Sequence, residues 1–439
     1  MMATIATMPK YEAYKNIGID WIEPIPTDWN VRRLKQFAKI FNGDSISPTI
    51  KDSFASDKFS HRPYIASKDI NANTSAIDYD NGIRIPQENM SFRIAPPNAS
   101  LICIEGGSAG KKIAFTDKEV CFVNKLACLH SKKIFNKFIY YSLKAEAFQI
   151  QFCLSMSGLI GGVAISVLGN FSIVLPSFSE QTAISNFLDK KTAQIDEAIA
   201  IKEQQIALLK ERKQIIIQKA VTQGLNSNVP MKNSGVDWIG EIPEHWVIFA
   251  NRALFFERVE SGRIGLPLLS VSIHTGVSSE EISEEENVRG RVKIEDKSKY
   301  ILVKKGDIAF NMMRAWQGGI GAVSKEGMVS PAYIVAKPKS IINAEYFEYQ
   351  YRCPEFIQQM DRFSKGITDF RKRLYWDSFK QLNTVVPPIK EQLAIVGFIK
   401  DQSEKVEVST ALLNNQIEKL KEYKITLINS AVTGKIKVI

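Results

Sequence analysis

Two blocks of this chain recur in the same order, and a duplication of that kind constrains the fold before any single motif does. Asn16-Ile17-Gly18-Ile19-Asp20-Trp21-Ile22, then Ile25-Pro26 and Trp29, returns 217 positions later as Asn233-Ser234-Gly235-Val236-Asp237-Trp238-Ile239, then Ile242-Pro243 and Trp246. Leu175-Pro176 with Glu180-Gln181, Ala183-Ile184 and Phe187 returns 211 positions later as Val386-Pro387 with Glu391-Gln392, Ala394-Ile395 and Phe398. The order is module, helix, module, helix.

Behind each Glu-Gln pair runs a heptad pattern. Ile195, Ile199, Lys202, Ile206, Leu209, Lys213, Ile216 and Ala220 alternate steps of four and three, and Val406, Thr410, Leu413, Ile417, Leu420, Lys424, Leu427 and Ala431 repeat those steps. Apolar residues at that period make a coiled-coil seam, and polar residues within it fix register and partner choice at a cost in stability. The apolar members form the expected helix-pair seam: Ile195, Ile199, Ile206, Leu209 and Ile216 against Val406, Leu413, Ile417, Leu420 and Leu427. A helix from Glu180 to Thr222 would span roughly 60–65 Å. Gly224 with the Asn226–Pro230 stretch, and Gly434, supply stops. The two seams can satisfy each other as an antiparallel coiled coil, with the modules related by a pseudo-two-fold axis.

Each module reads as mixed strand and helix. Short β-rich runs, Ser100–Ile104, Lys112–Phe115, Leu268–Ile273, Tyr300–Val303 and Tyr333–Lys337, sit between turn residues, and helical patterns follow near Lys132–Phe152 and Glu345–Phe363. The expected fold class is therefore α+β. Its boundaries are a first module at 1–178, a helix at 179–223, a linker at 224–232, a second module at 233–389, and a helix with a C-terminal tail at 390–439.

Composition narrows the function. The chain has 439 residues, 57 Lys plus Arg against 47 Asp plus Glu, a net charge of +10 and a pI near 9.1. That surplus points to a polyanionic partner such as nucleic acid. The five cysteines are widely spaced without Cys-x-x-Cys, so neither a disulfide framework nor a zinc knuckle is encoded. With no apolar run in Met1–Asn16, a cytoplasmic protein is expected. The uncharged stretch Ala147–Ser179 invites a membrane reading through its Gly158-x-x-x-Gly162, but its glycines and Pro176 break a continuous apolar helix. Copy two carries the charged run Lys365–Trp376 in that place, so a membrane span is rejected.

The residues of familiar catalytic sites are missing. Gly106-Gly107-Ser108-Ala109-Gly110-Lys111-Lys112 has three residues between its outer glycines and a lysine where a phosphate loop needs Ser or Thr. Gly319-Ile320-Gly321-Ala322-Val323-Ser324 ends in Ser and reads as a hairpin turn. His61, His130, His245 and His274 are scattered, there is no Gly-x-Ser-x-Gly elbow, and the Pro-Pro pairs lack the residues of a DNA amino-methyltransferase loop. A non-catalytic chain is expected.

The duplicated Gly-x-Asp-Trp-Ile-x-x-Ile-Pro-x-x-Trp openings, the proline segments entering Glu-Gln helices, and the run Gly306-Asp307-Ile308-Ala309-Phe310-Asn311, Arg314-Ala315-Trp316-Gln317, Ser330-Pro331-Ala332-Tyr333 resemble the specificity subunits of Type I restriction–modification systems. The resemblance covers nearly the whole chain. The Gly106–Lys112 turn with Asn124-Lys125 looks like the counterpart in copy one, which lacks the Arg-Ala-Trp-Gln and Ser-Pro elements. The resemblance implies two target-recognition domains, each reading half of a bipartite site in double-stranded DNA, with the helices setting the spacer and docking partners. Those partners would be two modification (methyltransferase) subunits and restriction (ATP-dependent translocase/nuclease) subunits in a prokaryotic cytoplasm. S-adenosylmethionine, ATP and Mg are expected on the partners, and no cofactor or metal on this chain.

In copy two, Lys365, Arg371, Lys372 and Arg373, with Arg314 and Gln317 nearby and Tyr375 and Trp376 interleaved, form the expected DNA-binding cluster. In copy one the candidates are Arg62, Lys68, Lys111, Lys112 and Lys125. Trp21, Trp29, Trp238 and Trp246 read as packing residues. Two other readings stand beside this one: a coiled-coil scaffold without a restriction role, and a stand-alone DNA-modifying enzyme.

Overall fold

The computed structural model describes residues 5–55, 60–158, 161–236, 239–278, 296–366 and 372–438. The chain divides into two compact units that do not follow its linear order. One is residues 1–203 with 414–439, the other residues 204–413. Each unit thus takes one module together with parts of both long helices.

In the first unit a four-stranded antiparallel sheet runs in the order Lys39–Asn42, Leu126–His130, Ala99–Cys103, Ile113–Thr116. Ala99–Cys103 is buried at every position, Ser100 included, because both faces are covered. Ile102 faces the helix residues Phe138 and Ile139, while Leu101 and Cys103 face a second cluster with Ile65, Ala95 and Phe122. The two-residue period of a strand survives as a choice between two cores rather than between core and water. In the second unit the sheet order is Phe255–Glu257, Tyr333–Pro338, Ile308–Asn311, Ile320–Ala322, with Ile308 and Phe310 in one cluster and Ala309 in the other.

A shared frame closes each module. Asn30–Arg33 pairs with Ser172–Leu175 in the first unit, and Val247–Ala250 with Asn383–Val386 in the second. Leu34 N–H donates to Phe171 O at 3.0 Å, and Asn251 N–H donates to Leu382 O at 2.9 Å. The Gln151 side-chain amide bonds both N–H and C=O of Ser172, and Gln359 does the same to Asn383. Each amide extends a two-stranded ladder by one residue and satisfies backbone groups that burial would leave unpaired.

The recurring Glu-Gln pair has a physical role here. Trp29 Nε1 donates to Glu180 Oε1 at 3.2 Å, and Trp246 Nε1 to Glu391 Oε2 at 2.9 Å. Gln181 donates to Pro176 O and accepts from Phe135 N–H, and Gln392 does the same with Pro387 O and Asn343 N–H. Trp29 and Trp246 are buried, as expected of packing residues, whereas Trp21 is exposed and Trp238 lies outside the described residues.

The long helices are Phe178–Gln223 and Ile389–Val432, of 46 and 44 residues. The first opens on a capping box in which Ser177 Oγ accepts from Glu180 N–H and Glu180 Oε2 accepts from Ser177 N–H. Gly224 and Gly434 follow the ends at φ +77°, the left-handed conformation that terminates a helix without Cβ strain. A Cβ on Gly434 would lie 2.5 Å from Pro26 Cδ, so the repeated Ile-Pro corner also needs glycine there.

Every seam position is buried or half-buried, whereas Glu203, Lys210, Glu211, Glu407 and Glu418 are exposed. Lys424 Nζ meets Asp196 Oδ1 at 2.7 Å and Lys202 Nζ meets Gln416 Oε1 at 2.5 Å in the first unit; Lys213 Nζ meets Glu407 Oε1 at 3.1 Å in the second. Partner numbers fall on one helix as they rise on the other.

Some local expectations are corrected. Each helical pattern after the sheet is two helices, Asn136–Leu143 with Glu146–Leu154 and Ala344–Tyr351 with Pro354–Phe363, and in the second pair Pro354 disfavours helical backbone at Cys353. Only Val271–Ser272 of the run Leu268–Ile273 forms a strand, paired with Gly276–Val277. No helix among the described residues is long and apolar enough to cross a membrane.

Candidate nucleic-acid interface

In each unit the hairpin connection between equivalent sheet strands carries some of the candidates, Arg314 and Gln317 in the second and Lys111 and Lys112 in the first. In the second unit that connection, 312–319, follows Ile308–Asn311 and precedes Ile320–Ala322. It carries Arg314, whose Nη1 donates to Gln317 Oε1 at 2.8 Å, and Trp316, whose indole N–H donates to Met313 O at 3.0 Å.

A second strip abuts it. Leu374 N–H donates to Met312 O at 2.9 Å, and Lys365 and Arg373 face each other across an antiparallel bridge. Lys372 Nζ stands 5.1 Å from the Trp316 ring centroid and 2.7 Å from Asp361 Oδ1. The structure therefore brings Arg314, Gln317, Lys365, Lys372 and Arg373 to one surface, with half-exposed Tyr375 beside them. Arg371 lies outside the described residues. A cation held against an aromatic face is oriented while keeping its charge, a geometry suited to a phosphate track.

In the first unit the equivalent connection, 104–112, lies between Ala99–Cys103 and Ile113–Thr116. Its neighbour strip is again backbone-bonded: Val163 N–H donates to Ile104 O and Gly106 N–H to Gly161 O, both at 2.9 Å. Lys111, Lys68 and Lys125 are exposed around this turn, Lys125 with Glu105 Oε1 at 3.8 Å and Lys68 with Asp69 Oδ1 at 4.0 Å. The other two candidates are committed to the fold. Lys112 Nζ donates to Ser67 O at 2.7 Å. Arg62 is 9% exposed, donating to Gln87 O at 2.9 Å and pairing with Glu119 at 3.3 Å. Arg62 is thus corrected from a DNA candidate to a clamp between loops, because a guanidinium spent on internal acceptors has little left for a phosphate.

Two charged groups that hold these surfaces escaped the sequence reading. Arg258 and Asp307 form a buried bidentate pair, Nε to Oδ2 at 2.7 Å and Nη2 to Oδ1 at 3.1 Å, and Asp307 also accepts Lys304 N–H. That turn launches the strand delivering Arg314. Lys144, at the end of helix Asn136–Leu143, sits in a cleft of about 650 Å³ lined also by Lys111, Asp196 and Lys424. It donates to Ser75 Oγ and Tyr140 Oη, and burial first, then the neighbouring Lys424 charge, pushes its pKa down to about 7. No grouping of three or more His, Cys, Asp or Glu suited to a metal occurs among the described residues.

Residues 26–211 match the family model described as Type I restriction modification DNA specificity domain. That stretch, most of the first module and its helix, is similar to the domain so described. Structural likeness extends further. A chain from a structure described as the basis of complex assembly and conformational transition of the type I R-M system superposes with a TM-score of 0.66 at 12% identity, over 94% of this chain and 99% of that one. The HsdS subunit from Thermoanaerobacter tengcongensis superposes with a TM-score of 0.55 at 13% identity, over 94% and 99%. At such identities the likeness speaks for the fold alone: mixed strand and helix with long helices.

Proposed function

We propose that this chain is the non-catalytic, DNA sequence-specificity subunit of a Type I restriction–modification complex, with one half of a bipartite site read by each module. The observation that carries the reading is the recurrence, in both units, of the same strand connection bearing cationic side chains at an open edge. Lysine and arginine on phosphates supply affinity that falls steeply with salt, while hydrogen bonds and apolar contacts to base edges supply sequence. Because Arg314 and Gln317 differ from the small residues of the first turn, the two modules select different half-sites.

The helices, in this reading, form an antiparallel coiled coil within a tandem duplication of pseudo-two-fold symmetry. Lys202, Lys213 and Lys424 fix its register through Gln416, Glu407 and Asp196. A rigid pair makes the spacer a matter of helical phase, since half-sites face one side of B-DNA only about every 10–10.5 base pairs. The partners are two modification subunits, holding S-adenosylmethionine, and restriction subunits, holding ATP and Mg.

Selection of duplexes from a random library by the purified chain tests the reading. Two conserved blocks separated by an unspecified spacer support it; binding without sequence preference refutes it and favours the scaffold.

A further inference from the structure

The first unit's connection is small where the second's is large. In the second unit the turn carries Arg314, Trp316 and Gln317; in the first it is Gly106-Gly107-Ser108-Ala109. Gly106 has φ +87°, so its backbone requires glycine. Gly107 is different. Its φ lies outside the left-handed region, and a Cβ placed there would find no atom of the described residues within 4 Å. Neither backbone strain nor packing inside the protein accounts for a glycine at that position.

The surroundings point to what does. The N–H groups of Gly107 and Ser108 have no acceptor among the described residues, and Gly107 is exposed with Ser108 half-buried. Successive free N–H groups in a turn form a concavity that binds anions. Exposed Lys111, Lys68 and Lys125 surround it. Leu154 and Met156, which lead into the segment bridged to Glu105 through Ser157 and Gly162, are 73% and 44% exposed. Bare backbone donors, lysines and exposed apolar side chains together match the phosphate, groove edge and thymine methyl of a duplex.

We propose that the first module binds its half-site at closer range than the second, the DNA backbone resting directly on the Gly107–Ser108 peptide, so that Gly107 is a specificity-determining position. The inference rests on the proposed function and names the contact by which one half-site is held. Side chains at Gly107 lift the duplex off the turn and separate Leu154 and Met156 from the base edges.

The test is duplex selection with the full chain as wild type, Gly107→Ala and Gly107→Leu, with thermal unfolding of each. The expected result is an unchanged unfolding midpoint, and a graded loss in which Gly107→Leu discriminates one half-site at least ~10-fold less well, the scale of a mismatched base pair, while retaining the other. If Gly107→Leu selects the same two half-sites as wild type with equal affinity, the close contact is overturned. If Gly107→Leu fails to fold, the position is internally constrained after all, and Gly107→Ala decides: selection equal to wild type overturns the proposal. A wild-type chain that selects no motif refutes the proposed function itself, a result distinct from failure of the Gly107 variants alone.

Discussion

Asp307 offers the sharpest stability test, because its pairing is buried and its consequence local. Its carboxylate is bound by both faces of the Arg258 fork and by Lys304 N–H, with both side chains under 5% exposed. Asp307→Ala leaves a guanidinium buried beside Glu260, whose carboxylate is about half exposed. Breaking one partner of a buried pair costs about 3–5 kcal/mol. For a unit of this size each kcal/mol shifts the midpoint by ~2–4 °C, so the transition of the second unit should fall by roughly 6–20 °C. Scanning calorimetry on the full chain reads it, with the first unit's transition unmoved. Arg258→Met with Asp307→Leu should recover most of the stability, since well-packed apolar residues often replace a buried pair without penalty. A single variant destabilised by less than about 1 kcal/mol refutes the reasoning, because it would mean that water already reaches the guanidinium.

Two further predictions concern charge. Lys144 has a folded pKa of about 7 against about 10.4 in the unfolded chain, so between those values the unfolded state binds more protons and stability rises with pH. Chemical denaturation at pH 7 and pH 10 should show that rise in the first unit, and Lys144→Met should flatten it; equal pH dependence in both proteins contradicts the assignment. Replacing Lys365, Lys372 and Arg373 together with Ala should weaken binding to cognate and random duplexes alike and reduce the slope of log K against log salt by roughly 2–3, about 0.9 for each phosphate no longer neutralised. An unchanged slope removes these residues from the interface.

What could be read in advance followed from whether a feature is periodic or tertiary. The heptad steps locate both long helices to within a few residues, because a seam position is set by local spacing. The paired Glu-Gln was visible as a recurrence, yet its use was not, since Trp29 and Glu180 are 151 residues apart and meet only in the fold. Arg62 and Lys112 look like any surface cation in sequence; burial and carbonyl acceptors decide their role. The uncharged Ala147–Ser179 stretch was separated from a membrane span by its glycines and Pro176 and by its charged counterpart, and its glycines serve turns such as Gly158 and Gly161, both at positive φ. The split of each helix pattern near Ala145 and Cys353 went unseen because apolar spacing continues across the break.

If this chain specifies a two-part DNA site, as proposed, its loss must erase one methylated motif. Adenine-methylation mapping decides it, in cells carrying the protein with a modification subunit against cells lacking only this protein. One bipartite methylated motif should disappear while all others persist. A methylation pattern that is identical with and without an expressed protein contradicts it.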